Sequence, residues 1–232
     1  MRKLEDLFTK EEANLIREVY SVNFQFDVMA FSRINNSTDI SRRFFEGLNY
    51  YQSAREFFNK ELFNKRIIEL GPGYLYGHGS ILSALDFEKL GVSSYTGIDP
   101  LYNEYSEENC KRKAKSMGLK IPFLEVSSDG LSYLLTQPKE SAIICSFAAF
   151  DSPAIENAGL PKYLEERYID YLIREIYRIT PENSISFHKN IFGLGDYLPL
   201  FESVGFRKEK LSPELFNLMD KDICTGFIVR KY

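Results

Sequence analysis

One run constrains this chain more than any other: Arg66-Ile67-Ile68-Glu69-Leu70-Gly71-Pro72-Gly73. A β-branched apolar burst, then an acid and two glycines around a proline, reads as a buried strand that turns sharply. Glycine accepts positive φ and lets backbone pass close to a ligand, and a helix starting beyond the turn points its N–H groups at that ligand. A second strand ending in an acid, Tyr95-Thr96-Gly97-Ile98-Asp99, follows in sequence. Strand, glycine turn, helix and a second strand with a terminal acid form the nucleoside-binding half of a doubly wound α/β fold. The acid is placed to accept both hydroxyls of a ribose.

A chain of 232 residues holds one α/β domain with an elaboration. Hydrophobic residues at 44% and charged residues at 27% are those of a soluble globular protein. A net charge of −4 argues against bulk nucleic-acid binding, which depends on neutralising phosphates. The one basic cluster, Lys111-Arg112-Lys113-Ala114-Lys115, reads as a solvated helix face. No apolar stretch has the length of a spanning helix, so no membrane partner is expected. The start turns acidic and helical at once, unlike a signal peptide. Cys110, Cys145 and Cys224 lack metal-ligand spacing and fit reduced thiols, so the expected compartment is the cytoplasm.

The spacing of Leu4, Leu7, Phe8, Leu15, Ile16 and Val19 predicts a helix over residues 4–20. A second is expected from Thr38 or Asp39 through Phe44, Phe45, Leu48 and Tyr51 towards Phe58. Residues 1–64 therefore read as a helical segment over an α/β domain of residues 65–232. Strands are expected at 66–70, 95–99, 121–126, 141–146, 184–188, 205–211 and 224–230. Helices are expected near 80–90, 103–117, 130–136, 161–179 and 195–203. This alternation favours a mostly parallel sheet.

E-x-G-x-G at Glu69 to Gly73, followed by Gly97-Ile98-Asp99, resembles the cofactor site of class I S-adenosylmethionine-dependent methyltransferases. The likeness runs on through Tyr168 to His188, which resembles the family's long helix, proline turn and fifth strand. Ser203-Val204-Gly205-Phe206 and Thr225-Gly226-Phe227-Ile228-Val229 resemble its closing hairpin. The resemblance implies a doubly wound, mostly parallel seven-stranded sheet of order 3-2-1-4-5-7-6 with strand 7 antiparallel. It also implies S-adenosylmethionine as cofactor and methyl transfer to a small or medium-sized acceptor.

On that resemblance Gly71 and Gly73 pass beneath the methionine half of the cofactor, and Glu69 faces its amino group. Asp99 takes the ribose, Asp129 accepts the adenine amino group beside Gly130, and Ser146 lies where the fourth strand meets the cofactor. The gap between glycine turn and ribose acid is longer than the family's usual one, with the surplus around Tyr74 to Gly79. His188 and His78 are the two histidines, and either has the ordinary pKa for a general base at neutral pH. Cys145 reads as a buried strand cysteine. No cluster has metal-ligand spacing, so no metal is expected. Two other readings stand beside the enzyme: a catalytically silent scaffold of the same fold, and a nicotinamide-dependent oxidoreductase. Tyr76, where a dinucleotide fingerprint needs its third glycine, counts against the latter.

Overall fold

The computed structural model describes residues 2–20, 40–72, 79–100, 107–147, 160–190, 197–219 and 225–232. Seven strands make one sheet: β1 (Arg66–Leu70), β2 (Ser94–Ile98), β3 (Phe123–Val126), β4 (Ile143–Phe147), β5 (Ile185–Asn190), β6 (Phe206–Lys208) and β7 (Thr225–Lys231). The order is β3-β2-β1-β4-β5-β7-β6, with β7 antiparallel to both its neighbours. The expected order and strand direction are thus observed; β1 has its expected ends, and the other six strands are present with ends moved by one to three residues.

Helix α1 (Lys10–Val19) follows a 3-10 turn at Leu4–Asp6, so the expected helix over 4–20 is broken. Thr9 breaks it: its hydroxyl accepts from the Glu12 amide while the Glu12 carboxylate accepts from the Thr9 amide, a reciprocal cap. The second expected helix is likewise two, α2 over residues 40–50 and α3 (Gln52–Leu62), separated at Tyr51. The rest are α4 (Gly79–Lys89), α5 (Glu107–Ser116), α6 (Gly130–Thr136), α7 (Lys162–Ile179), α8 (Leu198–Ser203) and α9 (Pro213–Met219). Helix α9 was not expected, because its few residues carry too short a pattern to separate helix from loop.

Alternation along β1 divides the core. Ile68 and Leu70 face a cluster with Leu131, Leu134, Leu164, Ile173 and Ile176, and into it Leu4, Phe8, Ala13 and Ile16 also pack. Ile67 faces the other, where Phe44, Phe58 and Leu62 meet Ile81, Phe87, Phe147 and Phe187. Phe44 stands 5.1 Å from the rings of both Phe58 and Phe147. Ion pairs fasten the same segment down: Arg167 of α7 to Glu12 of α1 at 2.6 Å, and Arg230 of β7 to Glu61 of α3 at 2.9 Å. Both clusters therefore draw side chains from both sides of residue 64. Among the described residues no helix is long and apolar enough to cross a membrane.

This packing sets an expectation for a chain beginning at Lys65. Each large apolar side chain removed from a core contributes about 1.5–3 kcal/mol of burial. Losing Phe8, Ile16, Phe44, Leu48, Phe58 and Leu62 together takes away about as much as a typical domain's whole stability of 5–15 kcal/mol. The truncated chain should aggregate or show no cooperative melting transition by calorimetry. A soluble fragment melting near the full-length protein would contradict the packing described.

Candidate functional site

Register brings the carboxyl ends of the first three strands level. Leu70 pairs with Ile98 and Ile98 with Val126, so Gly71, Asp99 and the residues before Asp129 emerge side by side. The ladder continues one step past the strands: the Gly71 amide donates to Ile98 O at 2.9 Å and the Asp99 amide to Val126 O at 3.1 Å. Gly71 turns the chain with φ 63°, a left-handed conformation that costs glycine least. Gly97, opposite Glu69 in the register, leaves room for the turn. A Cβ there would stand 3.2 Å from Pro72 Cγ and 3.1 Å from Ser80 Cβ, so the glycine turn and the start of α4 rest on bare backbone. Gly73 and His78 lie outside the described residues.

Glu69 is wholly buried on the face opposite Leu70. The Tyr95 hydroxyl donates to its Oε2 at 2.7 Å, reaching along β2 into the space that side-chain-free Gly97 leaves open. Oε1 is buried with no hydrogen-bond partner among the described residues. Burial pushes the carboxyl up to about 7 against the hydrogen bonds of Tyr95 and Ser83, and the charge of Asp99 adds to the rise. A cationic or N–H donor beside Oε1 would satisfy it. An ammonium at the methionine end of the expected cofactor is such a group.

Asp99 follows β2 at the sheet edge and is 6% exposed. Asp129, also buried, caps α6: its Oδ1 accepts from the Ser132 amide at 2.8 Å and from the Tyr168 hydroxyl at 2.9 Å. Gly130 follows at the start of α6, where a Cβ would touch Leu70 and Leu172 at 3.4 and 3.5 Å, so it packs on β1 as well as bordering the site. Among the described residues no group of histidine, cysteine and carboxylate side chains is arranged to hold a metal. Cys145 is buried and unpaired on β4, and burial beside Glu69 drives its thiol well above the ordinary value, which leaves it without nucleophilic character. Among the aromatics of residues 1–64, Phe44 and Phe45 are core residues and Tyr50 is 84% exposed; Phe24, Phe26 and Phe31 lie outside the described residues.

The sequence singled out neither Tyr95 as a partner of Glu69 nor Lys189. Lys189 is buried at the carboxyl end of β5, and its ammonium donates to Leu218 O at the end of α9, where a cation complements the exposed carbonyls. A lysine directly after His188 in a strand that ends at the site edge was the available signal.

His188 corrects an expectation. It has no exposed surface, its ring sits 4.7 Å from Phe201, and both nitrogens are engaged, Nδ1 with Ser146 Oγ at 2.8 Å and Nε2 with Ser186 Oγ at 2.9 Å. Ser186 commits its one proton to Ile144 O at 2.7 Å, so its oxygen accepts from Nε2–H, and Nδ1 must accept from the Ser146 hydroxyl. Ser146, also fully buried, is thereby tied to the fifth strand. Burial drives His188 down to about 3, so the ring is neutral and sequestered, without the access or basicity of a general base at neutral pH. Its sign in the stability profile follows. Below about pH 6.5 the unfolded chain binds a proton that the folded ring refuses, so stability is lost as pH falls from 6.5 towards 3. Glu69 acts oppositely, its contribution being lost as pH rises from 4.5 through about 7. His188→Gln should therefore flatten the acid limb of urea-unfolding free energy by one proton, about 1.4 kcal/mol per pH unit between pH 6 and 4. Parallel acid limbs for wild type and variant would show that His188 titrates normally.

No protein-family model and no curated protein matches this chain. Among solved structures, a protein from Galdieria sulphuraria provisionally assigned as a sarcosine dimethylglycine methyltransferase is similar at 14% identity. The match covers 79% of this chain and 84% of that one, with a TM-score of 0.51. A TehB-like S-adenosylmethionine-dependent methyltransferase from Corynebacterium glutamicum matches over 78% of this chain and 88% of its own, at 16% identity and a TM-score of 0.48. An S-adenosylmethionine-dependent methyltransferase from Mesorhizobium loti matches over 74% and 93%, at 16% identity and a TM-score of 0.47. The sheet order with its antiparallel β7, together with the Galdieria likeness, shows that this chain has the class I S-adenosylmethionine-dependent methyltransferase fold.

Proposed function

We propose that this protein transfers a methyl group from S-adenosylmethionine to a small or medium-sized nucleophilic acceptor. The observation that carries the reading is the level edge of β1, β2 and β3, from which Gly71, Asp99 and the segment leading to Asp129 emerge side by side. Each matches one part of the cofactor: backbone for the methionine carboxylate, Asp99 for the ribose diol, Asp129 for the adenine amine. The buried Oε1 of Glu69, without a partner among the described residues, suits the ammonium. Gly73, which follows Pro72 in sequence, and Ser146 at the fourth strand complete the proposed cofactor set.

The sulfonium of the cofactor supplies an electrophilic methyl carbon. The chain's residues have to hold the acceptor in line with that carbon and keep water out, and alignment of this kind supplies several kcal/mol without a dedicated base. The sequestered, neutral His188 suits a reaction driven by orientation. The same observation favours one second reading, a catalytically silent binding protein of this fold, and turnover of a tritiated methyl donor against acceptor pools separates the two. Residues 1–64 are the proposed acceptor lid, built on helices that also anchor in both cores.

Asp99→Ala tests the cofactor assignment. The residue stands past the end of its strand, so the variant should fold. Loss of two hydrogen bonds to one carboxylate should weaken S-adenosylhomocysteine by about 2–4 kcal/mol, measured by calorimetry. An unchanged dissociation constant would remove Asp99 from the ribose.

A further inference from the structure

The N-terminal helix brings an unexplained polar atom to this site. Tyr20, which ends α1, stacks on Tyr168 with ring centroids 5.3 Å apart and planes 25° from parallel. The Tyr168 hydroxyl is fully used, donating to Asp129 Oδ1 at 2.9 Å and accepting from the Leu131 amide at 3.2 Å. The Tyr20 hydroxyl is buried and has no hydrogen-bond partner among the described residues. A buried donor left without a partner costs about 1–3 kcal/mol, and this one has been carried to the start of α6 by an element outside the sheet. The bonds that Asp129 accepts from Ser132 and Tyr168 both fall on Oδ1. Tyr20 thus stacks on the ring whose hydroxyl binds Asp129, and the Asp129 charge acts on the Tyr20 phenol. Burial and the charges of Asp129 and Glu165 hold the Tyr20 phenol far above its ordinary value, so it is a donor at every working pH.

A donor beside an acceptor is the complement of a 6-aminopurine edge, in which an amine donates next to a ring nitrogen that accepts. We propose that Tyr20 is a specificity residue of the nucleoside site: its hydroxyl donates to a ring nitrogen of adenine while Asp129 accepts from the exocyclic amine. The proposal rests on the cofactor reading above and adds to it a base contact supplied by the N-terminal helix. Occupancy of the site would then hold α1 against α7.

Calorimetric titration of the full chain and of Tyr20→Phe tests this, with S-adenosylhomocysteine and its 1-deaza and 7-deaza analogues as probes. The substitution keeps the ring stack and removes only the hydroxyl. Without ligand, the variant should melt no lower than wild type, because the atom lost has no partner among the described residues. It should bind S-adenosylhomocysteine about tenfold more weakly, and that loss should vanish against whichever deaza analogue lacks the contacted nitrogen. An equal loss against all three ligands, or no loss, would overturn the base contact. A ligand-free melting point several degrees below wild type would place the hydroxyl in a structural bond and overturn it too. Wild type that binds none of the three would instead defeat the cofactor reading itself.

Discussion

The whole arrangement depends on burying one carboxyl group at the centre of the sheet. β1 is covered on both faces, and a residue there would ordinarily be apolar. Glu69 instead accepts from the Tyr95 hydroxyl on Oε2 and has Ser83 beside it, while Oε1 has no hydrogen-bond partner among the described residues and burial raises the carboxyl to about 7. That is a cost the fold carries in its ligand-free form. Gly97 makes it geometrically possible, because the bare backbone opposite Glu69 admits both the tyrosine hydroxyl and Pro72 of the turn. A cofactor ammonium at this point would convert a penalty into a binding contribution.

Around that point the chain is stiff where chemistry needs positioning and closed where a reactive side chain was expected. Asp129 is fixed twice through one oxygen, and Ser146 is fixed by a proton order that runs from Ile144 through Ser186 and His188. Such a network selects one rotamer and one tautomer of the buried ring. The proposed orientation-driven transfer, with the electrophile supplied by the cofactor, asks no proton exchange of it.

Much of the fold was legible because its signals are local and repeated. β1 and β2 announce themselves by β-branched runs ending in Gly71 and Asp99, and Gly130 begins α6 as the Asp-Gly pair suggests. Pairing direction and strand order came through the family resemblance, since no single segment encodes them. Tertiary chemistry was not legible. The break between α1 and the turn before it lies in one capping threonine, and α9 is too short to show a period. His188 looked accessible because a strand's end is near the site, yet its ring points into Phe201 and Phe227, which come from elements distant in sequence. The Tyr95 bond to Glu69 and the Tyr20 stack on Tyr168 are likewise contacts across elements, visible only once register and packing are set.

The central claim is that the level edge of β1 to β3 binds a nucleoside carrying a methionine-derived tail, and not a dinucleotide. Calorimetric titration of the full chain with S-adenosylhomocysteine and, separately, with NAD tests it most directly. The account predicts saturable uptake of one S-adenosylhomocysteine per chain and no binding heat with NAD. Saturable NAD binding without any response to S-adenosylhomocysteine would contradict it.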